Sequence, residues 1–187
     1  MRIFVALDIP EEIRTRLGEY IERVRHLAPD APWVKPESLH VTLKFIGEAK
    51  DARVEEVKNV LKQIKAQPFD VTFPDVGFFP NHNSGRVFWA GVDGGEALPE
   101  LAGSIDQALE KIGIEAEKRA YHPHLTLARA GTRSGAYQVF KQLPRGIDPE
   151  EHPQFGTMTA REFFLYKSEL LRGGARYTKL ERFPLGE

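Results

Sequence analysis

The sequence predicts an α+β fold made of two related lobes. Three observations lead there. Strand-like and helix-like stretches alternate irregularly, not as a strict βαβ repeat. Two stretches, SLHVTLKFIG at 38–47 and YHPHLTLARA at 121–130, each follow a helical pattern and share His-x-Thr-Leu. The 187-residue chain is 41% apolar and 28% charged, enough for one domain with a sizeable core or for two small lobes. The expectation is one bilobal domain over 1–187, each lobe supplying one motif strand to a shared cleft.

The elements follow in order. RIFVALD (2–8) reads as a strand. PEEIRTRLGEYIERVRHLAP reads as a helix, with Pro10 near its first turn, Pro29 near its end, and an apolar face of Ile13, Leu17, Ile21 and Val24. SLHVTLKFIG alternates as a strand, and DARVEEVKNVLKQIKA (51–66) is an amphipathic helix with Asp51 as its N-cap. FDVTFPDVGFF and GRVFWAGVD are β-rich runs separated by the turn PNHNSG. GGEALPELAGSIDQALEKIG is a third helix and HPHLTLARA a strand. A short helix is expected across 134–143. Two closing strands are expected near 160–168 and 175–183, joined through LLRGGARY.

Composition narrows the function classes. Cysteine is absent, which removes disulfide and thiolate chemistry. The start, MRIFVALDIPEEIR, lacks the basic opening and longer apolar run of a signal peptide, and no stretch approaches a membrane span. A cytoplasmic protein without membrane contact is expected. The net charge of −1 argues against non-specific coating of nucleic acid. Residues 118–146 nonetheless hold six Lys and Arg and no acidic residue, and this basic segment contains the second motif.

The paired motif carries the chemistry. Strict alternation places His40, Thr42 and Lys44 on one strand face and Val41, Leu43 and Phe45 on the other, toward the core. His124 and Thr126 likewise share a face, with Leu125 and Leu127 opposite. Opening a phosphodiester without metal needs a base for water and an acid for the leaving oxygen, and imidazoles titrate near neutrality. Threonine hydroxyls can donate to the non-bridging oxygens, where charge builds in the transition state. A 2′,3′-cyclic phosphate suits such a site because its leaving oxygen stays tethered.

The two His-x-Thr-Leu copies resemble the signatures of the two-histidine phosphoesterase superfamily, and within it the RNA 2′,3′-cyclic phosphodiesterases, also called 2′-5′ RNA ligases. RIFVALDIP, WVKPESLHVTLKFIG, GRVFWAGV and SELLRGGARYTKL resemble that family's blocks as well, so the likeness spans nearly the whole chain. The resemblance implies two pseudo-symmetric lobes whose antiparallel sheets flank a central cleft, with helices outside. It implies metal-independent opening of the cyclic phosphate to a 2′-phosphate, without a cofactor. By the same resemblance His40 is the proton donor and His124 the proton acceptor, while Thr42, Thr126 and Arg129 hold the phosphate. Alternation puts Arg129 on the face opposite His124, so it must reach around the strand end.

Other residues have plainer readings. His122 shares a face with His124, but a metal needs three or four His, Asp, Glu or Cys ligands, so His122 reads as structural. Lys44 is a surface residue or lies near the phosphate. Arg86 is a solvated residue or an RNA phosphate contact. Phe79, Trp89 and Tyr166 are core residues or base-stacking surfaces. His82 and His152 read as loop residues, and His26 as a helix-ending cation. The expected partner is an RNA or nucleotide with a 2′,3′-cyclic phosphate end, bound by a monomer. Ligation through a 2′-5′ linkage as the main activity, or non-catalytic RNA binding through 118–146, are the alternatives.

Overall fold

The computed structural model describes residues 1–130 and 140–186. Nine strands and four helices occur among them. The strands are β1 (Arg2–Leu7), β2 (Val41–Glu48), β3 (Phe69–Pro74), β4 (Val76–Phe79), β5 (Val87–Gly91), β6 (His124–Arg129), β7 (Gln154–Ala160), β8 (Glu162–Leu171) and β9 (Gly174–Pro184). The helices are α1 (Glu11–Val24), α2 (Asp51–Leu61), α3 (Ala97–Glu110) and α4 (Gln142–Gly146). Every pairing is antiparallel. One sheet has the order β2-β1-β8-β9, a second β4-β5-β6, and β3 pairs with β7. The α+β class and the antiparallel sheets are as the sequence predicts. Most of the expected helix across 134–143 lies outside the described residues.

The helices bury the faces that periodicity marks. Ile13, Leu17, Tyr20, Ile21 and Val24 of α1 are buried, and Tyr20 meets Phe88 of β5 and Phe155 of β7. α1 therefore backs the sheets on the His124 side, although it follows β1 in the chain. α3 packs on β2 and on α2, backing the other sheet. A single apolar cluster runs through both backs, from Ile3, Val5 and Leu7 to Phe88, Leu125 and Leu127. A second cluster of Phe4, Ala6, Phe164 and Tyr166 lies on the opposite face of β1 and β8. β1 is buried on both faces for this reason.

Several local expectations change. Lys50, not Asp51, is the N-cap of α2 and makes no side-chain capping bond; Asp51 sits in the first turn, where a carboxylate favours the helix dipole. α1 ends at Val24 and a 3-10 turn covers Arg25–Leu27, with His26 inside it. The run 69–79 is two strands in different sheets. They divide at Asp75, whose φ of 69° turns the chain. An aspartate tolerates that conformation, and its carboxylate accepts the Val76 amide at 2.8 Å. The same carboxylate holds His152 Nδ1 at 2.8 Å, so this loop histidine is a partnered one.

β7 has no counterpart in the sequence reading. Its apolar alternation is weak, and Gly156 adopts a φ of 119°. A Cβ there would stand 2.7 Å from Arg16 Nη1, so the strand exists where α1 lies directly over a glycine.

Candidate active site

The two motif strands depart from alternation at the same point. On β1 and β2, Ala6 pairs with Thr42 and Val5 with Lys44, leaving Leu43 as an extra residue. On β5 and β6, Trp89 pairs with Thr126 and Phe88 with Ala128, leaving Leu127 extra. A β-bulge thus falls on the Leu of each His-x-Thr-Leu copy. Past a bulge, every side chain changes face.

This corrects three expectations. Lys44 lies opposite Val5, on the core face, and is 6% exposed. Its Nζ donates to Asp106 Oδ1 of α3 at 2.5 Å and to the Glu115 carbonyl at 2.7 Å. It is neither a surface residue nor a phosphate ligand. Phe45 is not a core residue: it pairs with Phe4 on the face that carries Thr42 and is 69% exposed. Arg129 lies opposite Val87, on the face of Trp89, Thr126 and His124, so it need not reach around the strand. Its Nη2 stands 3.5 Å from Thr126 Oγ1.

His40 immediately precedes β2. Its ring stacks on Phe4 (5.1 Å, 19°) and Tyr166 (5.2 Å, 13°) and meets Tyr177 edge-on at 4.7 Å. This enclosure strips water from the imidazole. Burial first, and the Arg14 guanidinium second, push its pKa down to about 4, against the opposing pull of Asp8. Arg14 donates to Asp8 Oδ1 at 2.5 Å and to the Pro36 carbonyl at 2.6 Å. Burial acts to raise the Asp8 carboxyl, but hydrogen bonds from Lys179 and Arg14 outweigh it and hold the pKa below the usual range. Asp8, Arg14, His40, Tyr166, Tyr177 and Lys179 line a depression of about 650 Å³. Tyr166, 4% exposed, supports His40 and offers no free face for a base.

His124 opens β6. Its Nδ1 lies 2.8 Å from the His122 carbonyl. A carbonyl only accepts, so Nδ1 is the donor in this contact, and in a neutral ring Nε2 holds the lone pair. His122 therefore matters through its backbone, and its own ring is exposed. Phe79, 38% exposed, stands edge-on to the His124 ring at 5.1 Å. Trp89 lies flat over Gly77, where any Cβ would come within 2.3 Å of the indole.

Contacts between the motif segments bring the two halves together. Tyr121, three residues before His124, donates its hydroxyl to the Thr42 carbonyl at 2.8 Å. Burial pushes that phenol's pKa up, so it remains a donor. The Leu127 carbonyl accepts the Val34 amide at 2.8 Å. His40 lies just before β2 and Thr42 at its start, and His124, Thr126 and Arg129 lie along β6. Phe45 and Arg14 were missed. A regular strand pattern hides the first, and only the fold brings the second near His40. Among the described residues, no three His, Asp or Glu side chains are grouped to hold a metal ion. No helix among them is long and apolar enough to cross a membrane.

Two bulged strands, each carrying a histidine and a threonine, with an arginine joining the second, have the pattern expected of a two-histidine phosphoesterase. The comparisons agree: the family described as LigT like Phosphoesterase matches residues 7–89 and 92–177, each stretch holding one motif. The chain belongs to this family. It is 32% identical to an RNA 2′,3′-cyclic phosphodiesterase of Methanothermobacter thermautotrophicus, covering 99% of both chains. It is 33% identical to one of Archaeoglobus fulgidus, covering 98% of this chain and 99% of the other. The fold superposes on Escherichia coli LigT complexed with 3′-AMP with a TM-score of 0.79 at 28% identity, covering 100% and 98% of the two chains.

Proposed function

We propose that this protein hydrolyses RNA 2′,3′-cyclic phosphodiester ends to 2′-phosphates without a metal, as one bilobal domain, working as a monomer in the cytoplasm. The observation that supports the reading is the duplicated strand pattern: alternation keeps His40 with Thr42 and His124 with Thr126, and the bulge after Thr126 turns Arg129 to the same face. Relatives alike over nearly the whole chain are named as RNA 2′,3′-cyclic phosphodiesterases.

His124 Nε2 takes a proton from water as the water oxygen bonds to phosphorus. The bond from phosphorus to the 3′-oxygen breaks, and His40 gives that oxygen a proton. The Thr42 and Thr126 hydroxyls and Arg129 meet the charge on the non-bridging oxygens. His40 takes up its proton from solvent as the substrate binds. Its ring is neutral near pH 7 in the free protein, and a phosphate anion placed against it favours the imidazolium. Proton transfer between solvent and the two rings then restores the starting state.

The test is turnover of a nucleoside 2′,3′-cyclic phosphate in excess chelator by wild type, His40→Ala and His124→Ala. Wild type is expected to turn over and both variants to lose at least about 100-fold in kcat. Wild-type rates in either variant refute the mechanism, and loss of wild-type turnover in chelator refutes metal independence.

A further inference from the structure

The basic segment 118–146 is only partly used by the cleft. Lys118 pairs with Glu115 at 3.1 Å, and Arg129 stands beside Thr126. Lys141 and Arg145 lie elsewhere. With His82, Asn83, Ser84 and Asp148 they line a cavity of about 530 Å³ between the β4–β5 loop and α4. One lysine and one arginine face a single carboxylate there, and that carboxylate already accepts the Glu150 amide at 2.9 Å. Arg145 is exposed, and no acidic side chain among the described residues pairs with it. A guanidinium and an ammonium suit phosphate oxygens, and Asn and Ser side chains add uncharged donors.

Both walls are fixed from behind. Gly85 lies on Phe78, where a Cβ would come within 2.6 Å of the ring, and the His82 ring meets Phe78 edge-on at 5.3 Å. Gly146, at the end of α4, lies on Leu27 in the same way, with a Cβ contact of 2.4 Å. Leu143 and Ile147 are buried beside it. The cavity therefore stands ready without a ligand to shape it.

Its position ties it to the reaction. The β4–β5 loop leaves the sheet at Phe79, whose ring meets His124, and returns at Arg86, whose amide donates to the Phe79 carbonyl at 2.7 Å. The Arg86 carbonyl accepts the Ala130 amide at 2.7 Å, next to Arg129. The cavity thus lies just past the Arg129 end of β6. His82 is three residues from Phe79, at most about 11 Å of chain. In the proposed chemistry the oxygen that leaves phosphorus belongs to the nucleoside and is protonated by His40, so the nucleoside and its strand lie on the His40 side. The attacking oxygen lies on the His124 side, toward this cavity.

We propose that the cavity holds a backbone phosphodiester of a second RNA strand, whose 5′-hydroxyl takes the place of the attacking water. The inference rests on the phosphodiesterase reading above and adds a subsite to it. With that strand bound, His124 takes the proton of the 5′-hydroxyl as its oxygen bonds to phosphorus. The bond from phosphorus to the 3′-oxygen breaks, His40 protonates that oxygen, and the strands are joined 2′-5′ with nothing else consumed. Without the strand, water attacks. Occupancy of the cavity sets whether a cyclic end is opened or joined.

The probe is an RNA hexamer with hydroxyls at both ends, added to the protein with adenosine 2′,3′-cyclic phosphate. It should inhibit opening of the cyclic ester by displacing water. In the double variant Lys141→Gln with Arg145→Gln, Ki for the hexamer should rise roughly 10-fold and the slope of log Ki against log salt should fall by about 1. KM and kcat for the cyclic ester alone should stay within about twofold, which also reports intact folding. No inhibition of wild type, or an unchanged Ki in the double variant, overturns the proposal. A hexamer that itself ends in a cyclic phosphate is the control. If the double variant raises its KM by as much with no second strand present, the cavity serves the substrate strand and the proposal falls. If wild type opens no cyclic ester, the activity reading fails by itself, and fluorescence anisotropy of the hexamer labelled at its 3′ end decides the cavity. A Kd roughly 10-fold weaker in the double variant supports it, and an equal Kd overturns it.

Discussion

His40 should make the protein lose stability on mild acidification, and the amount follows from its enclosure. Folding lowers its pKa from an ordinary 6.5 to about 4. Between those values the unfolded chain binds the proton and the folded chain does not, so stability falls as pH falls through that window. The contribution is fully present above pH 6.5 and fully lost below pH 4. Going from pH 7.5 to 5.0 should cost about 2 kcal/mol from this ring alone, an upper value because the ring edge reaches solvent. Urea unfolding of wild type and His40→Gln at both pH values isolates it, since Gln keeps polarity without titrating. Wild type should lose about 2 kcal/mol more than the variant over the interval. Equal losses in both proteins would refute the reasoning, because the ring would then titrate as freely folded as unfolded.

Lys44→Met should destabilise the protein by about 2–4 kcal/mol, because it strands Asp106 without its ammonium partner. Asp106 keeps its bonds from the Glu117 amide, which holds the loss toward the lower end. Urea midpoints check this, and kcat/KM for a cyclic nucleotide should stay within about threefold because Lys44 faces away from the cleft. Arg129→Ala should lower kcat/KM by roughly 10- to 100-fold while leaving the unfolding midpoint within about 0.5 kcal/mol, since the side chain is exposed. Steady-state kinetics and urea unfolding on the same preparation would separate the two effects.

Much of this was legible in residue order. The helical faces of Ile13, Leu17 and Ile21, and of Leu101, Ile105 and Leu109, are buried as their spacing demands. The duplication of His-x-Thr-Leu marked both strands and the two imidazoles. Alternation failed at Lys44, Phe45 and Arg129 because a bulge changes face without leaving a residue-type signature: Leu43 and Leu127 are ordinary strand residues. β7 was missed because its evidence is a tertiary one, a helix crossing a glycine.

The sequence by itself determined the duplicated His-x-Thr-Leu pattern, since side-chain type and repetition are local properties of the chain. It determined the α+β class for the same reason, periodicity being set by neighbours a few residues apart. Only the tertiary structure decided which face each residue takes past the motif. Strand register is a property of two chains in contact, and one extra residue in a pairing reverses all that follow it. It also decided the state of His40. The rings that desolvate it come from β1, β8 and β9, and the guanidinium beside it comes from α1.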